Sequence, residues 1–337
     1  MSVLLNLVGV SKAYPLGPSR IGRPPREVRA VSDVTLSVER GETLALVGES
    51  GCGKSSLARL MMRLEAPSGG QVWFDGVDLA SLRPRALKAM RRRFQMIFQD
   101  PYASLNPRMS VRAIIGEALK NFGVGNTAEI TRRVEEFAQQ AGLSDYHLDR
   151  YPHELSGGQC QRVGIARAIA LAPDLIVADE PVSALDVSIQ AQILNLIVRL
   201  QADMSMAIVF VSHDLSVVAH IADRVAVMYL GRIVELAPKA ALFAAPRHPY
   251  TQLLLASAPR PVPEARDRPP VPPSELPSPL DPPSGCAFRT RCPFADARCA
   301  TELPVLRQVA GTAVACHHAE LIPLHSQSQF QVRHVRN

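Results

Sequence analysis

Gly48-Glu49-Ser50-Gly51-Cys52-Gly53-Lys54-Ser55, followed by Ser56, fits the spacing G-x-x-x-x-G-K-[ST]. A loop of this kind wraps phosphates in backbone N–H groups, while its lysine reaches the β and γ oxygens and its hydroxyl ligates Mg²⁺. Lys54 and Ser55 therefore take those roles, and Cys52 reads as a small tolerated residue. Asp179 and Glu180 close the apolar run LIVADE. Alone they would read as solvated loop carboxylates; with the loop, Asp179 is placed to hold Mg²⁺ through water and Glu180 to polarise the attacking water. His213 ends AIVFVSH and, by its order after these motifs, reads as a γ-phosphate sensor. Ser156, Gly157 and Gly158 open a helix with a hydroxylic cap and two small residues, an anion site in a segment with no nucleotide motif of its own. A helix start carries about half a positive charge, enough to favour a phosphate but not to hold a nucleotide unaided.

Strands must present these residues. Residues 30–47 read as short alternating strands with a turn at Gly41, and LALV then runs into the glycine-rich loop and a helix. LIVADE and AIVFVSH are apolar strands; between them a helix places Ile193, Leu196, Ile197 and Leu200 on one face. Strand, helix, strand in alternation predicts a parallel α/β sheet. Residues 100–157 are helical in pattern and read as an inserted helical subdomain. Eleven prolines between Pro259 and Pro283 predict a linker, about 259–284, where neither helix nor sheet interior persists.

The chain has 337 residues, 47% of them apolar, which predicts a large core and two domains. Its longest apolar runs fall far short of the ~20 residues of a membrane-spanning helix, and MSVLLNLVGVSKAY lacks an export signal's basic start, so a cytoplasmic protein is expected. Net charge is +6 and arginine concentrates in RPRALKAMRRR. Without interleaved aromatic residues this reads as a solvated helix face, and no nucleic-acid partner is expected.

The order of motifs carries a resemblance. GESGCGKSS, FQDP with Gln99, LSGGQ (Leu155 to Gln159), LIVADEP, SALD (Ser183, Ala184, Leu185, Asp186) and VSH with His213 are together similar to the ATP-binding cassette of ABC transporters, over residues 1 to about 245. The resemblance implies a RecA-like core, an antiparallel β subdomain and a helical subdomain, with ATP and Mg²⁺ bound. It adds Tyr14 as the aromatic residue on adenine, Gln99 as a Mg²⁺ and γ-phosphate contact, and 183–186 as the D-loop. Two such cassettes pair head to tail, so Leu155, Ser156, Gly157, Gly158 and Gln159 would close over the partner's ATP. Cys160 departs from a commonly basic position, with an effect on rate rather than inactivation expected.

A narrower likeness covers nearly the whole chain. DPYASLNPRMSV, HDLSVVAHIADRVAVMYLGRIVE and RHPYTQLLLASAPRP resemble the ATPase subunits of dipeptide and oligopeptide importers, the second of the pair. This implies a paralogous ATPase partner, two membrane permeases met near Gln99, an extracytoplasmic peptide-binding protein, and a peripheral place on the cytoplasmic face of the inner membrane. Nickel or other small solutes are alternative cargoes. A soluble ABC ATPase of repair or ribosomes would carry two cassettes or a coiled coil, and a regulatory module would have lost Lys54, Asp179, Glu180 or His213.

Residues 246–337 form the C-terminal region, expected as a small cysteine-rich domain. Cys286, Cys292, Cys299 and Cys316 are separated by five, six and sixteen residues, unlike a zinc ribbon's C-x₂-C pairs. Disulfides do not suit a cytosolic ATPase. The residues alone leave a metal site and a set of small buried residues both open; the importer resemblance implies a [4Fe–4S] cluster of structural role on these four. Adjacent His317 and His318 are alternatives ill placed to bind one ion together.

Overall fold

A computed structural model describes residues 2–16, 26–257 and 277–323. Most of the proline-rich segment, 258–276, lies outside the described residues. β1 (Val3–Leu16), β2 (Arg26–Glu39), β4 (Gly69–Phe74) and β5 (Val77–Asp78) make an antiparallel sheet in the order β2-β1-β4-β5. The second sheet has eight strands: β3 (Thr43–Val47), β6 (Phe94–Ile97), β7 (Leu175–Asp179), β8 (Ala207–Ser212), β9 (Arg224–Tyr229), β10 (Arg232–Pro238), β11 (Arg307–Val309) and β12 (Thr312–Val314). Its order is β11-β12-β10-β9-β3-β8-β7-β6, parallel from β9 to β6 and antiparallel beyond.

TLALV, LIVAD and AIVFVS are buried at every position. Strands covered on both faces tolerate no polar alternation, which is why these segments read as unbroken apolar runs. Helix α1 (Lys54–Met61) packs Leu57, Ala58 and Leu60 into the core shared by the two sheets. The predicted face of α7 (Val187–Met204), Ile193, Leu196, Ile197 and Leu200, is buried on the sheet's other side.

Helix α2 (Pro84–Met90), in the arginine-rich segment, buries none of its side chains. Beyond β6 come α3 (Val111–Asn121), α4 (Thr127–Gln140), α5 (Asp145–Leu148) and α6 (Gly157–Ile169). Ser110 caps α3 by accepting from the Ala113 N–H, and Asn126 caps α4 by accepting from the Glu129 N–H. Val134 and Phe137 of α4 join Ile114 and Ile115 of α3 and Val163 of α6 in one apolar cluster, so the inserted helices lean on the helix that begins after Ser156.

Helices α8 (Leu215–Ile221), α9 (Lys239–Ala244) and α10 (Pro249–Ser257) follow, then α11 (Ala297–Thr301) in the cysteine-bearing region. That region is built onto the main sheet: β12 pairs with β10 through Glu235↔Val314 and Leu236↔Ala313. Phe288 packs against Tyr229 and Tyr250, with ring centroids 5.3 and 5.5 Å away. No helix among the described residues is long and apolar enough to cross a membrane.

Candidate functional site

Four parallel strands, β3, β6, β7 and β8, deliver the chemistry-bearing residues from their C-terminal ends, where open α/β sheets place ligands. After β3 the chain turns through 48–53 so tightly that a Cβ on Gly48 would stand 2.2 Å from the Met228 carbonyl oxygen and one on Gly53 2.1 Å from that of Ala30. Glycine is required at both, with φ of 156° and 107°. Lys54, 4% exposed, donates from Nζ to the carbonyls of Gly48 at 2.8 Å and Glu49 at 3.0 Å. The loop is thus wrapped around its own lysine.

Ser55 Oγ donates to Asp179 Oδ1 at 3.0 Å. Burial holds the Asp179 carboxyl above its ordinary range, the Ser55 bond opposes that, and neighbouring Glu180 adds to it. A buried carboxylate and a hydroxyl in contact are hard oxygen donors whose deficit is positive charge, which fits a divalent cation such as Mg²⁺. Gln99, expected on the metal as well, spends an amide hydrogen on Glu180 Oε2 at 3.2 Å. His213 Nδ1 is 3.3 Å from the same oxygen, and Lys54 Nζ lies 4.0 Å from Oε1. Glu180 is the point where loop lysine, Gln99 and His213 converge. Its left-handed φ of 45° turns it out of the strand line.

Ser50 to Ser56, Gln99 and Glu180 line one cleft with Val28, Arg29, Ala30, Leu230, Gly231 and Pro279. Three expected ATP contacts, Tyr14, Gly48 and Glu49, are not among these lining residues. Glu49 gives its N–H to the Tyr250 hydroxyl at 2.8 Å and its carboxylate to Arg291 at 2.8 and 3.0 Å. The Tyr14 hydroxyl donates to Glu65 at 2.6 Å beside Ser56, with Lys12 over its ring. Cys52 is buried, which pushes its thiol up against the opposing effect of Lys54. Tyr250 and Arg291 were not singled out in the sequence; Tyr250 fell within the RHPYTQ stretch and Arg291 beside Cys292, neither with a role of its own.

None of the LSGGQ residues lines that cleft. Ser156 caps α6: its Oγ accepts from the Gln159 N–H at 3.3 Å, and Gln159 Oε1 accepts from the Ser156 N–H at 2.8 Å. Gly158 is forced by packing, since a Cβ there would meet Ile189 Cγ2 at 2.6 Å. Gly157 is not; the nearest atoms would be ordinary neighbours at 3.5 and 3.9 Å. Cys160 points inward, fully buried, its thiol held up at about 11 by burial. Ser183, Ala184 and Asp186 are exposed, Leu185 is half-buried, and Ser183 donates back to the Glu180 carbonyl at 3.0 Å.

The four late cysteines are free thiols gathered close enough for mutual electrostatic effect. Burial pushes Cys292 up to about 12 and Cys316 to about 11, and raises Cys286 and Cys299. Arg289, Arg298 and Arg307 oppose this at Cys286, Cys299 and Cys316 respectively, favouring thiolates. A tetrathiolate zinc spaces its sulfurs about 3.8 Å apart; among the described residues, only Asp296, Cys299 and His318 offer three ligand atoms within 4.8 Å of one another. His318, not His317, approaches a cysteine, with Nε2 3.7 Å from Cys299 Sγ and 3.2 Å from Asp296 Oδ2.

Comparison with known proteins agrees with this geometry. The chain is 55% identical over 316 residues to the probable peptide ABC transporter ATP-binding protein y4tS of Sinorhizobium fredii, covering 93% of this chain and 89% of that one. The chain belongs to the ABC transporter ATP-binding family. This ABC ATPase matches the ABC transporter family over residues 31–183 and the family described as the oligopeptide/dipeptide transporter C-terminal region over 234–299. It is also 49% identical to the oligopeptide transport ATP-binding protein AppF of Bacillus subtilis, over 93% of this chain and 97% of AppF. Its fold is similar to the ATP-binding cassette MJ0796 in a dimeric post-hydrolysis structure bound to ADP and Pi, with a TM-score of 0.63 and 28% identity over 70% of this chain and 99% of that one.

Proposed function

We propose that this ABC ATPase hydrolyses ATP at a site shared between two cassettes and thereby drives peptide import through membrane permeases. Lys54 and the N–H groups of the loop bind the β and γ phosphates. Ser55 and Asp179 hold Mg²⁺, which supplies neutralising charge for the phosphates. Glu180, kept in place by Gln99 and His213, accepts a proton from the attacking water. The N-terminus of α6 supplies the second half of the pocket to the opposing cassette.

The observation that carries this reading is Gly157. Its own chain leaves room for a side chain, yet the position stays bare, half-buried beside the exposed Ser156 at a helix start away from the chain's own cleft. A ligand approaching from outside accounts for both. The peptide cargo rests on the relatives' names and on the C-terminal region matched over 234–299. A paralogous second ATPase, two permeases and an extracytoplasmic binding protein complete the assembly, at the cytoplasmic face of the inner membrane. The groove lined by Pro107, Tyr146, Arg150, Tyr151 and His153, reached by the loop after Gln99, suits a permease segment, since Tyr146 and Tyr151 are 68% and 42% exposed.

Residues 1–245 act as the cassette and 246–337 as the C-terminal region, where Cys286, Cys292, Cys299 and Cys316 hold a [4Fe–4S] cluster. Such a cluster supplies a cross-link to a region with little core of its own. Four thiols, two buried and two half-buried, arginines that favour thiolate at three of them, and spacing unlike a single zinc support it. Anaerobic purification with iron and sulfide assay tests the cluster; colourless, metal-free protein overturns it. Peptide uptake by the reconstituted transporter with and without Lys54→Ala tests the function, and uptake unchanged by that substitution refutes it.

A further inference from the structure

Arg291 reaches the phosphate-binding loop from within the cysteine-bearing region. Its Nη1 and Nη2 donate to Glu49 Oε2 and Oε1 at 2.8 and 3.0 Å, a bidentate pair. The Arg291 side chain is 6% exposed, and Glu49 raises its pKa above the already high ordinary value. The Phe288 ring lies 5.8 Å from the guanidinium and the Tyr229 hydroxyl lies beside it. Tyr250, fully buried against Tyr229, accepts the Glu49 N–H. The second residue of the loop is therefore gripped at backbone and side chain by residues that all come later than 228 in the chain.

The loop's chemistry does not ask for an acid there, because that position accepts any residue in the G-x-x-x-x-G-K-[ST] pattern. An uncompensated carboxylate next to a polyphosphate would repel it, and with Arg291 buried and Glu49 only 27% exposed solvent screens the pair in part. We propose that Arg291 is a positioning residue of the nucleotide site: it cancels the Glu49 charge and anchors the start of the loop, so that ATP affinity depends on the cysteine-bearing region being in place. Arg291 is followed directly by Cys292, and its N–H donates to the Phe288 carbonyl at 3.0 Å within the same turn, so displacing these cysteines displaces the guanidinium. The inference rests on residues 48–56 being the phosphate cradle.

The test measures Mg·ATP binding to the full chain by titration, with a melting curve for each variant. Arg291→Met should weaken binding roughly tenfold, and Arg291→Lys less. Adding Glu49→Gln to Arg291→Met should recover affinity, because the unpaired charge is gone; a purely structural lesion would not be repaired by a second one. Should Arg291→Met fail to fold, Arg291→Lys with and without Glu49→Gln gives the same comparison. Parent-like binding by Arg291→Met, or a double variant as weak as the single, overturns the proposal. Lys54→Ala separates the two readings: if it too binds ATP normally, the cradle assignment fails, and if it alone loses ATP, only the role of Arg291 does.

Discussion

Ser55 Oγ and Asp179 Oδ1 are joined at 3.0 Å although 124 positions separate them. The bond ties the start of α1 to the end of β7 and marks where a cation would sit. Burial raises the Asp179 carboxyl above its usual pKa, so the ionised form is the costly one in the absence of a cation. The sign follows: without Mg²⁺, stability contributed here falls as pH rises through the range above the ordinary aspartate value, and Mg·ATP removes that loss. We expect the rise in melting temperature on adding Mg·ATP to be larger at pH 8 than near the ordinary aspartate pKa of 3.8. Asp179→Asn should abolish that difference.

Glu180 receives Gln99, His213 and Lys54 at once. Glu180→Gln keeps the shape but cannot take a proton, and a lost general base costs about 10²–10⁴ in rate. Single-turnover hydrolysis by the assembled transporter should fall by at least about a hundredfold while ATP remains bound in a closed dimer. An unchanged rate would remove Glu180 from this role.

The two signature glycines should behave differently. Gly158→Ala drives a methyl into Ile189, and overpacking of this kind costs about 1–3 kcal/mol. Gly157→Ala makes only ordinary contacts and should change stability by less than about 0.5 kcal/mol. Yet it should lower the ATPase rate of the assembled pair. Denaturant melts of each variant beside the rate of the complex check both halves.

His248 is fully buried, accepts the Tyr250 N–H on Nδ1 at 3.0 Å and lies against the Ala315 backbone, and burial drops its pKa from 6.5 to about 3. Between those values the unfolded chain binds the extra proton and the folded one does not, so stability is lost as pH falls below 6.5. At pH 5 the loss is about 2 kcal/mol. His248→Gln should be less stable at neutral pH but should flatten the dependence between pH 6.5 and 4.

Most of the candidate nucleotide site's grouping of residues was legible because its parts sit at strand ends or in motifs with fixed spacing. Lys54, Ser55, Asp179, Glu180 and His213 each follow an apolar run whose direction and length decide where the next polar residue emerges. Arg291 was not legible: a buried arginine and a solvated one look alike between two cysteines, and its partner lies 242 positions away. Glu49 was assigned to phosphate from its place in the loop, but its carboxylate and N–H both turn toward the later chain. The β11–β12 hairpin was also missed. Its turn, Ala310-Gly311, has left-handed φ at both residues, 48° and 81°, and the sequence lacks the Asn-Gly pair that usually signals this.

Site-resolved nucleotide trapping in the assembled transporter tests the shared pocket most directly, with Ser156→Arg in this chain and photoreactive ATP to mark each cassette. Label should disappear from the partner cassette and persist on this one. Label lost from this chain and retained on its partner would contradict the shared pocket.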